Sequence, residues 1–151
     1  MEINLKPTLK QHLAYQALND PSIDEVFLGG GAGGGKSWLI CESRLVDAYR
    51  YPCYRSFIGR EELKRLMQST YVTWMKVCKF HKIPQDDWSL NGQYNFIHFK
   101  NGSRIHFEAP GPNVGRGYGV DFLVIDNAAY INSLRDIYES TSNSARVRNG
   151  R

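Results

Sequence analysis

Cysteines and long apolar runs are scarce in this sequence. The 151 residues include three cysteines, Cys41, Cys53 and Cys78. They are far apart, odd in number and without metal-ligand spacing, which argues against a metal site and predicts reduced thiols in a cytosol. No apolar run is long enough to span a membrane, and the start of the chain has no signal-peptide pattern. There is also no internal repeat.

The composition is that of a single globular domain. The chain is 42% apolar and 23% charged, and 151 residues are enough to bury a real core. A net charge of +4 and a pI near 9.0 weakly favour a polyanionic partner but do not identify one.

Strand and helix patterns alternate, which predicts an α/β fold with a largely parallel sheet. A helix is predicted over residues 8–19, capped by Thr8 and ended by Asp20-Pro21. Its expected apolar face consists of Leu9, Leu13, Ala14, Ala17 and Leu18. The other predicted elements are strand 25–28, helix 36–50, strand 54–59, helix 61–80, hairpin strands 94–99 and 104–109, loop 110–119, a strand from 122 and a weak helix over 131–140.

Two groups of residues are interpreted as structural. Helix 61–80 carries an apolar stripe that we assign to core packing: Leu63, Leu66, Met67, Thr70, Tyr71, Trp74, Met75 and Cys78. Asn101-Gly102 suits the positive φ angles of a tight hairpin turn. His98 and His106 lie on the two hairpin strands and are interpreted as strand residues, because metal ligation would need more partners.

A glycine run carries the most specific chemical signal. It reads GGGAGGGKS from Gly29 to Ser37 and contains G-x-x-x-x-G-K-S, the Walker A pattern. A predicted strand enters it and a predicted helix leaves it. Backbone N–H groups of such a loop cradle phosphates, the lysine reaches the β- and γ-phosphates, and the hydroxyl binds Mg²⁺. The pattern therefore predicts ATP binding, with these contacts: Gly30, Gly31, Ala32, Gly33, Gly34, Gly35, Lys36 and Ser37.

The same letters satisfy the dinucleotide pattern G-x-G-x-x-G through Gly29, Gly31 and Gly34. That alternative expects an acid about 20 residues on, at the end of the second strand. The nearest acids, Glu61 and Glu62, lie past that strand. It also leaves Lys36-Ser37 unexplained, so it accounts for less of the sequence.

A second acid site is expected at the end of the strand FLVI, where Asp126 follows four apolar residues. A P-loop enzyme uses such an acid to hold Mg²⁺, so Ser37 and Asp126 are the predicted metal ligands. Many of these enzymes place Glu next, to activate water. This chain has Asn127, whose amide can orient water but cannot accept its proton.

The order of motifs resembles the N-terminal ATPase domain of tailed-phage terminase large subunits. The resemblance rests on five stretches: TLKQ in the first helix, GGGAGGGKS, FIGREELKRLMQST, FKNGSRIHFEAP and VGRGYGVDFLVIDNAAYI. The resemblance spans about residues 5–140. It implies a P-loop NTPase fold of the RecA-like class: a mostly parallel sheet flanked by helices, with a β-hairpin insertion.

The resemblance also implies roles for individual residues. Gln11 matches an adenine-reading glutamine, with Gln16 nearby. Asp126 matches the Mg²⁺-binding acid. Arg116 matches a sensor of the γ-phosphate in cis or across a subunit interface, and Arg60 is a weaker match. With Lys36 and Asn127 these residues make up the expected catalytic set.

The implied activity is ATP-driven packaging of double-stranded viral DNA into procapsids. Its partners would be the portal, the small terminase subunit and further copies in a ring, in the bacterial host cytoplasm at the procapsid portal, with no membrane involved. A grip on the DNA backbone needs basic residues but no sequence motif. The basic residues along or just past helix 61–80 are Lys64, Lys76, Lys79 and Lys82, and most of them are interpreted as a solvated face.

Two departures from the family pattern qualify these expectations. Asn127 stands where the family has Glu, which puts hydrolysis in doubt but not ATP binding. Family members are also several hundred residues long, so we expect residues 1–140 to be the N-terminal part of an ATPase domain with an incomplete sheet. Residues 141–151 are expected to form a polar, flexible tail. The alternatives are a non-catalytic nucleotide-binding or assembly module, or another helicase-like ATPase.

Overall fold

The structure is a computed structural model that describes residues 3, 5, 8–23, 35–59, 62–108 and 121–125. Several predicted elements lie outside the described residues: strand 25–28, most of the glycine run, loop 110–119, helix 131–140 and the tail at 141–151.

The first helix, α1, spans Leu9–Asn19 and begins where the sequence predicts. The Thr8 hydroxyl accepts a hydrogen bond from the Gln11 N–H at 3.3 Å, and the Gln11 side chain accepts one from the Thr8 N–H at 3.0 Å. This reciprocal capping box satisfies two N–H groups that the helix start would otherwise leave unpaired. The helix ends before Asp20, as expected.

The predicted apolar face of α1 is partly wrong. Leu9 and Leu13 are 76% and 56% exposed, whereas Ala14 and Tyr15 are buried. The reason is that α1 packs through a small cluster of Ala14, Tyr15 and Leu39, separate from the main core. Tyr15 can be buried there because its hydroxyl has a partner, described below.

Helix α2 spans Lys36–Arg50 and lies against the core. Its buried apolar residues are Leu39, Ile40, Cys41, Leu45 and Ala48. The predicted helix over 61–80 is a helical segment in three parts: α3 at Leu63–Arg65, a π-helical turn at Leu66–Thr70 and α4 at Tyr71–Phe80. The predicted core stripe is confirmed at Leu66, Thr70, Trp74 and Cys78, whereas Met75 is 48% exposed.

In the part of the chain that the structure describes, five strands form one sheet with the order β2-β3-β4-β1-β5. Their bounds are β1 Arg55–Gly59, β2 Trp88–Asn91, β3 Phe96–Phe99, β4 Arg104–Glu108 and β5 Phe122–Ile125, and a 3₁₀ turn at Gln85–Asp87 precedes β2. Strand β1 pairs in parallel with β4 and with β5. Strand β3 pairs antiparallel with β2 on one side and with β4 on the other. The described sheet is therefore mixed rather than mostly parallel, because the hairpin strands extend it.

The β3–β4 hairpin is confirmed, but its turn differs in detail from the expectation. Only Gly102 takes a positive φ, of 88°, and its N–H donates to the Phe99 carbonyl at 3.0 Å. Four residues, 100–103, connect the strands. The longer connection needs glycine at one position, whereas a two-residue turn would need positive φ at both.

The core lies between the sheet and the helices α2 and α4. Trp74 is fully buried in this core and packs edge-on against Trp88 and Phe99, at 5.8 and 5.9 Å between ring centroids. The same core includes four fully buried strand residues: Ile58, Ile97, Ile105 and Phe107. In the ranges that the structure describes, no helix is both long and apolar enough to cross a membrane.

Candidate functional site

The structure describes only part of the predicted site. Gly35, Lys36, Ser37 and Gln11 are described. The others lie outside the described residues: Gly30, Gly31, Ala32, Gly33, Gly34, Arg60, Arg116, Asp126 and Asn127. Their assigned roles stay predictions.

Gly35 marks the junction between the glycine run and α2. Its φ is 76°, a left-handed conformation that favours glycine, and its carbonyl accepts the first helical hydrogen bond, from the Leu39 N–H at 3.0 Å. Lys36 and Ser37 are the first two residues of α2 and are half-buried. A helix start presents N–H groups and a positive dipole end, the arrangement that binds phosphate.

Gln11 lies directly against this junction. Its Nε2 donates to the Gly35 carbonyl at 3.2 Å, although 24 residues separate the two in the sequence. A Cβ at position 35 would lie 2.7 Å from that nitrogen, so the end of the Gln11 side chain would have to shift if position 35 carried a side chain. Gln16 is exposed elsewhere on α1. Of the two glutamines, the structure brings Gln11 to the helix start.

The direction of α2 relative to the sheet follows from contacts along its length. Near its C-terminal end, the Ala48 carbonyl accepts hydrogen bonds from Asn101 and Ser103, just before β4. One turn earlier, the Arg44 guanidinium lies 3.6 Å from the ring centroid of Phe122, the first residue of β5. Helix α2 therefore runs antiparallel to these strands.

The start of α2 consequently points toward the carboxyl edge of the parallel strands. From Ala48 back to Lys36 the helix rises about 18 Å, more than the roughly 13 Å length of β4. At that edge Gly59 is in register with both Glu108 and Ile125. Asp126 is the next residue after Ile125. Ligands of open α/β sheets bind at such an edge.

The two histidines of the hairpin lie on strands, as predicted, His98 on β3 and His106 on β4. His98 is exposed, whereas His106 is buried. Burial, followed by the nearby Arg104 and Arg55, lowers the pKa of His106 to about 4. No cluster of metal-binding side chains occurs among the described residues. Their interpretation as strand residues is supported.

The cysteines and lysines complete the set of residues that the sequence singles out. The three cysteines form no disulfide in the structure, and burial raises the pKa of Cys78 to about 12. The lysines at 64, 76, 79 and 82 are exposed.

The sequence interpretation missed a set of buried polar residues on α2. Glu42 and Arg44 are 3% and 1% exposed. Arg44 donates to Asp47 at 2.8 Å, and Glu42 accepts hydrogen bonds from three other side chains. The sequence signal for this set was the polar stretch ESR, which lies between the apolar residues Cys41 and Leu45. Charged residues at buried helix positions need partners, so this stretch could have predicted a buried polar network.

No family model and no curated protein matched the chain by sequence. Solved structures matched it by fold. An arginine-to-alanine mutant of the Thermus phage P74-26 large terminase ATPase domain aligns with a TM-score of 0.72 and 16% identity, over 96% of this chain and 62% of that one. The large terminase of another thermophilic bacteriophage aligns with a TM-score of 0.67 and 15% identity, over 95% of this chain and 36% of that one.

The ADP complex of that second terminase aligns with a TM-score of 0.63 and 14% identity, over 93% of this chain and 35% of that one. The chain thus spans about a third of that terminase. The described architecture, an α/β mixed sheet flanked by helices, is the fold of large-terminase ATPase domains. The resemblance predicted from the motifs is confirmed at the level of the fold.

Proposed function

We propose that this chain is a Mg·ATP-binding P-loop domain of the RecA-like class, of the type found in large terminases. The observation that carries the proposal is the position of Gly35, Lys36 and Ser37. They stand at the start of a helix that points to the carboxyl edge of the parallel strands, with Gln11 held against Gly35. One of the similar solved structures is a large terminase in complex with ADP, which supports a nucleotide as the ligand.

The residues present fit the nucleotide in their chemistry. Backbone N–H groups of residues 30–35 would bind the phosphates, and Lys36 would pair with their charge. Ser37 and Asp126 would hold Mg²⁺, which would neutralise phosphate charge when bound. Gln11 would contact the adenine base.

A binding measurement with Lys36→Ala tests this proposal. Loss of a charge-assisted hydrogen bond should weaken Mg·ATP binding about tenfold to a hundredfold in isothermal titration. The control is Lys64→Ala, which removes an exposed lysine on α3. Equal affinity of Lys36→Ala and the unaltered chain would place the site elsewhere.

We further propose that ATP hydrolysis is slow, because Asn127 cannot act as a general base. Restoring the carboxylate with Asn127→Glu should raise the turnover rate by about 10²- to 10⁴-fold. Glu108 ends β4 at the same carboxyl edge of the sheet and could serve as the base instead, so Glu108→Gln is the matched comparison. If only Glu108→Gln changes turnover, the base is Glu108.

Asn127 also favours a second candidate function. A chain that binds Mg·ATP but shows no turnover, even after Asn127→Glu, would be a nucleotide-binding or assembly module. Steady-state turnover of both forms, at saturating Mg·ATP, separates the two functions.

The biological role we propose is packaging of double-stranded DNA at a procapsid portal in the bacterial cytoplasm. Its partners would be the portal, the small terminase subunit and other copies of the chain in a ring, and Arg116 would sense the γ-phosphate. The fold supports this proposal. Phosphate contacts predict that DNA affinity falls steeply with salt. A salt-independent affinity would contradict a direct grip on the DNA backbone.

A further inference from the structure

Glu42 is the centre of a buried hydrogen-bond network that joins three helical elements. Its Oε1 accepts from the Tyr15 hydroxyl on α1 at 2.6 Å. Its Oε2 lies 3.1 Å from Nε1 of Trp38 on α2 and 2.6 Å from Nε2 of His81, which follows α4. Because carboxylate oxygens accept, we assign the His81 Nε2–H as a donor.

The network is shielded from solvent. The side chains of Glu42 and His81 are each 4% exposed, and Tyr15 is 8% exposed. Burial, reinforced by the hydrogen bond to Glu42, raises the pKa of Tyr15, so the phenol stays protonated and donates. Hydrogen bonds to a buried charge are stronger than those between neutral groups in water. The carboxylate is therefore held on one side by Trp38 and His81 and presents its other oxygen to α1.

Polar contacts join α1 to α2 at three levels, which we call the α1–α2 seam: Gln11–Gly35, Tyr15–Glu42 and Asn19–Arg50. Successive members on α1 are four residues apart, so they lie on one face of that helix. The Asn19–Arg50 contact is long, at 3.3 Å, and exposed. The Tyr15–Glu42 bond is the short, buried contact of the seam.

Apolar packing along the seam is sparse. The apolar cluster contains Ala14, Tyr15 and Leu39, with Leu5 packed against it. A cavity of about 60 Å³ opens further along the seam, lined by residues that include Tyr15, Arg44 and Asn19. The position of α1, and with it that of Gln11, therefore depends strongly on the Tyr15–Glu42 bond.

We propose that Glu42 and Tyr15 are positioning residues that hold Gln11 at the helix start, and so determine how well the site binds the nucleotide base. This inference rests on the proposed function. The pair acts through α1, which carries Gln11, and not through Lys36 or Ser37, which α2 positions directly. Removing the Tyr15–Glu42 bond should therefore weaken recognition of the base and leave phosphate binding intact.

The test compares two ligands, Mg·ATP and Mg·tripolyphosphate, the second of which has no base. Tyr15→Phe deletes the hydroxyl and keeps the buried ring, so the helix contact with Ala14 and Leu39 is retained. The dissociation constant for ATP should rise about fivefold, as expected for one hydrogen bond, while that for tripolyphosphate stays within about twofold. Tyr49→Phe is the matched control. The Tyr49 hydroxyl, on α2, donates to Asp87 at 2.7 Å, and this hydrogen bond does not involve α1.

Three results would overturn the proposal. Equal weakening of both ligands by Tyr15→Phe would indicate a general structural role. An effect on ATP no larger than that of Tyr49→Phe would show that the seam does not matter. If Lys36→Ala changes the affinity for neither ligand, the proposed function itself fails and this inference fails with it.

A double variant tests whether Tyr15 acts through Gln11. Gln11→Ala alone should weaken ATP binding. Adding Tyr15→Phe should then have little further effect, because the glutamine that it positions is already gone. Additive losses in the double variant would contradict the positioning role.

Discussion

Acid should destabilise the fold through His106, which is buried in β4. Its backbone is paired with Phe57 of β1 and Phe96 of β3, and its ring lies 5.3 Å from the Phe96 ring, centroid to centroid. Burial disfavours the charged imidazolium, and the positive charges of Arg104 and Arg55 add to this effect. The pKa of His106 is consequently lowered to about 4 in the folded protein.

The direction and size of the effect follow from the two protonation states. Above about pH 6.5, the ordinary histidine pKa, the ring is neutral in both folded and unfolded chains. As the pH falls below that value, the unfolded chain takes up a proton and the folded chain does not until about pH 4. At pH 5 this uptake should lower the free energy of unfolding by about 2 kcal/mol.

Urea unfolding at pH 7 and pH 5, followed by tryptophan fluorescence, measures this loss. His106→Gln removes the titrating ring, so its stability should fall less than that of the unaltered chain between the two pH values, by about 2 kcal/mol. His98→Gln, on the exposed face of β3, is the matched control and should keep the full pH dependence. An unchanged pH dependence in His106→Gln would refute the assignment.

Two further predictions concern the ends of α2. Gly35→Ala places a Cβ at positive φ and 2.7 Å from the Gln11 amide. Urea unfolding should show a loss of about 1–2 kcal/mol in the free energy of unfolding. Titration with Mg·ATP should also show weaker binding. Ser103→Ala deletes a buried hydroxyl that bonds the Ala48 and Tyr51 carbonyls at 3.1 and 2.7 Å, so urea unfolding should show a loss of about 1–3 kcal/mol. If these two variants unfold like the unaltered chain, both stability predictions are wrong.

Local signals in the sequence predicted most helices and strands. The Thr8 cap and the Asp20-Pro21 stop predicted α1, because capping depends on residues only three apart. The buried face of α1 was predicted only in part, because the buried hydroxyl of Tyr15 has its partner in Glu42, 27 residues away. A 3.6-residue period also cannot distinguish the π-helical turn at Leu66–Thr70 from a regular helix.

The strand β2 was missed for a similar reason. Trp88–Asn91 is only four residues long, and its pairing with β3 defines it as a strand. The described sheet is mixed because β3, which pairs antiparallel with β4, joins the hairpin to the parallel strands β4, β1 and β5. Strand pairing is a tertiary property, and short strands carry weak local signals.

The candidate site likewise has one part that local sequence signals predict and one part that contacts between distant residues create. The glycine run predicted Lys36 and Ser37 at a helix start, because loop and helix are adjacent in the sequence. The contact between Gln11 and Gly35 spans 24 residues, and the one between Glu42 and His81 spans 39. Neither separation leaves a periodic or spacing signal, so only the folded chain reveals these contacts.

The start of α2 is proposed to bind Mg·ATP together with the acid after β5. A crystal structure of the chain with Mg²⁺ and a non-hydrolysable ATP analogue would test this proposal. We expect the phosphates at Gly35 and Lys36, the ion shared by Ser37 and Asp126, and the adenine at Gln11. A nucleotide bound away from Lys36, or an ion that touches neither Ser37 nor Asp126, would contradict it.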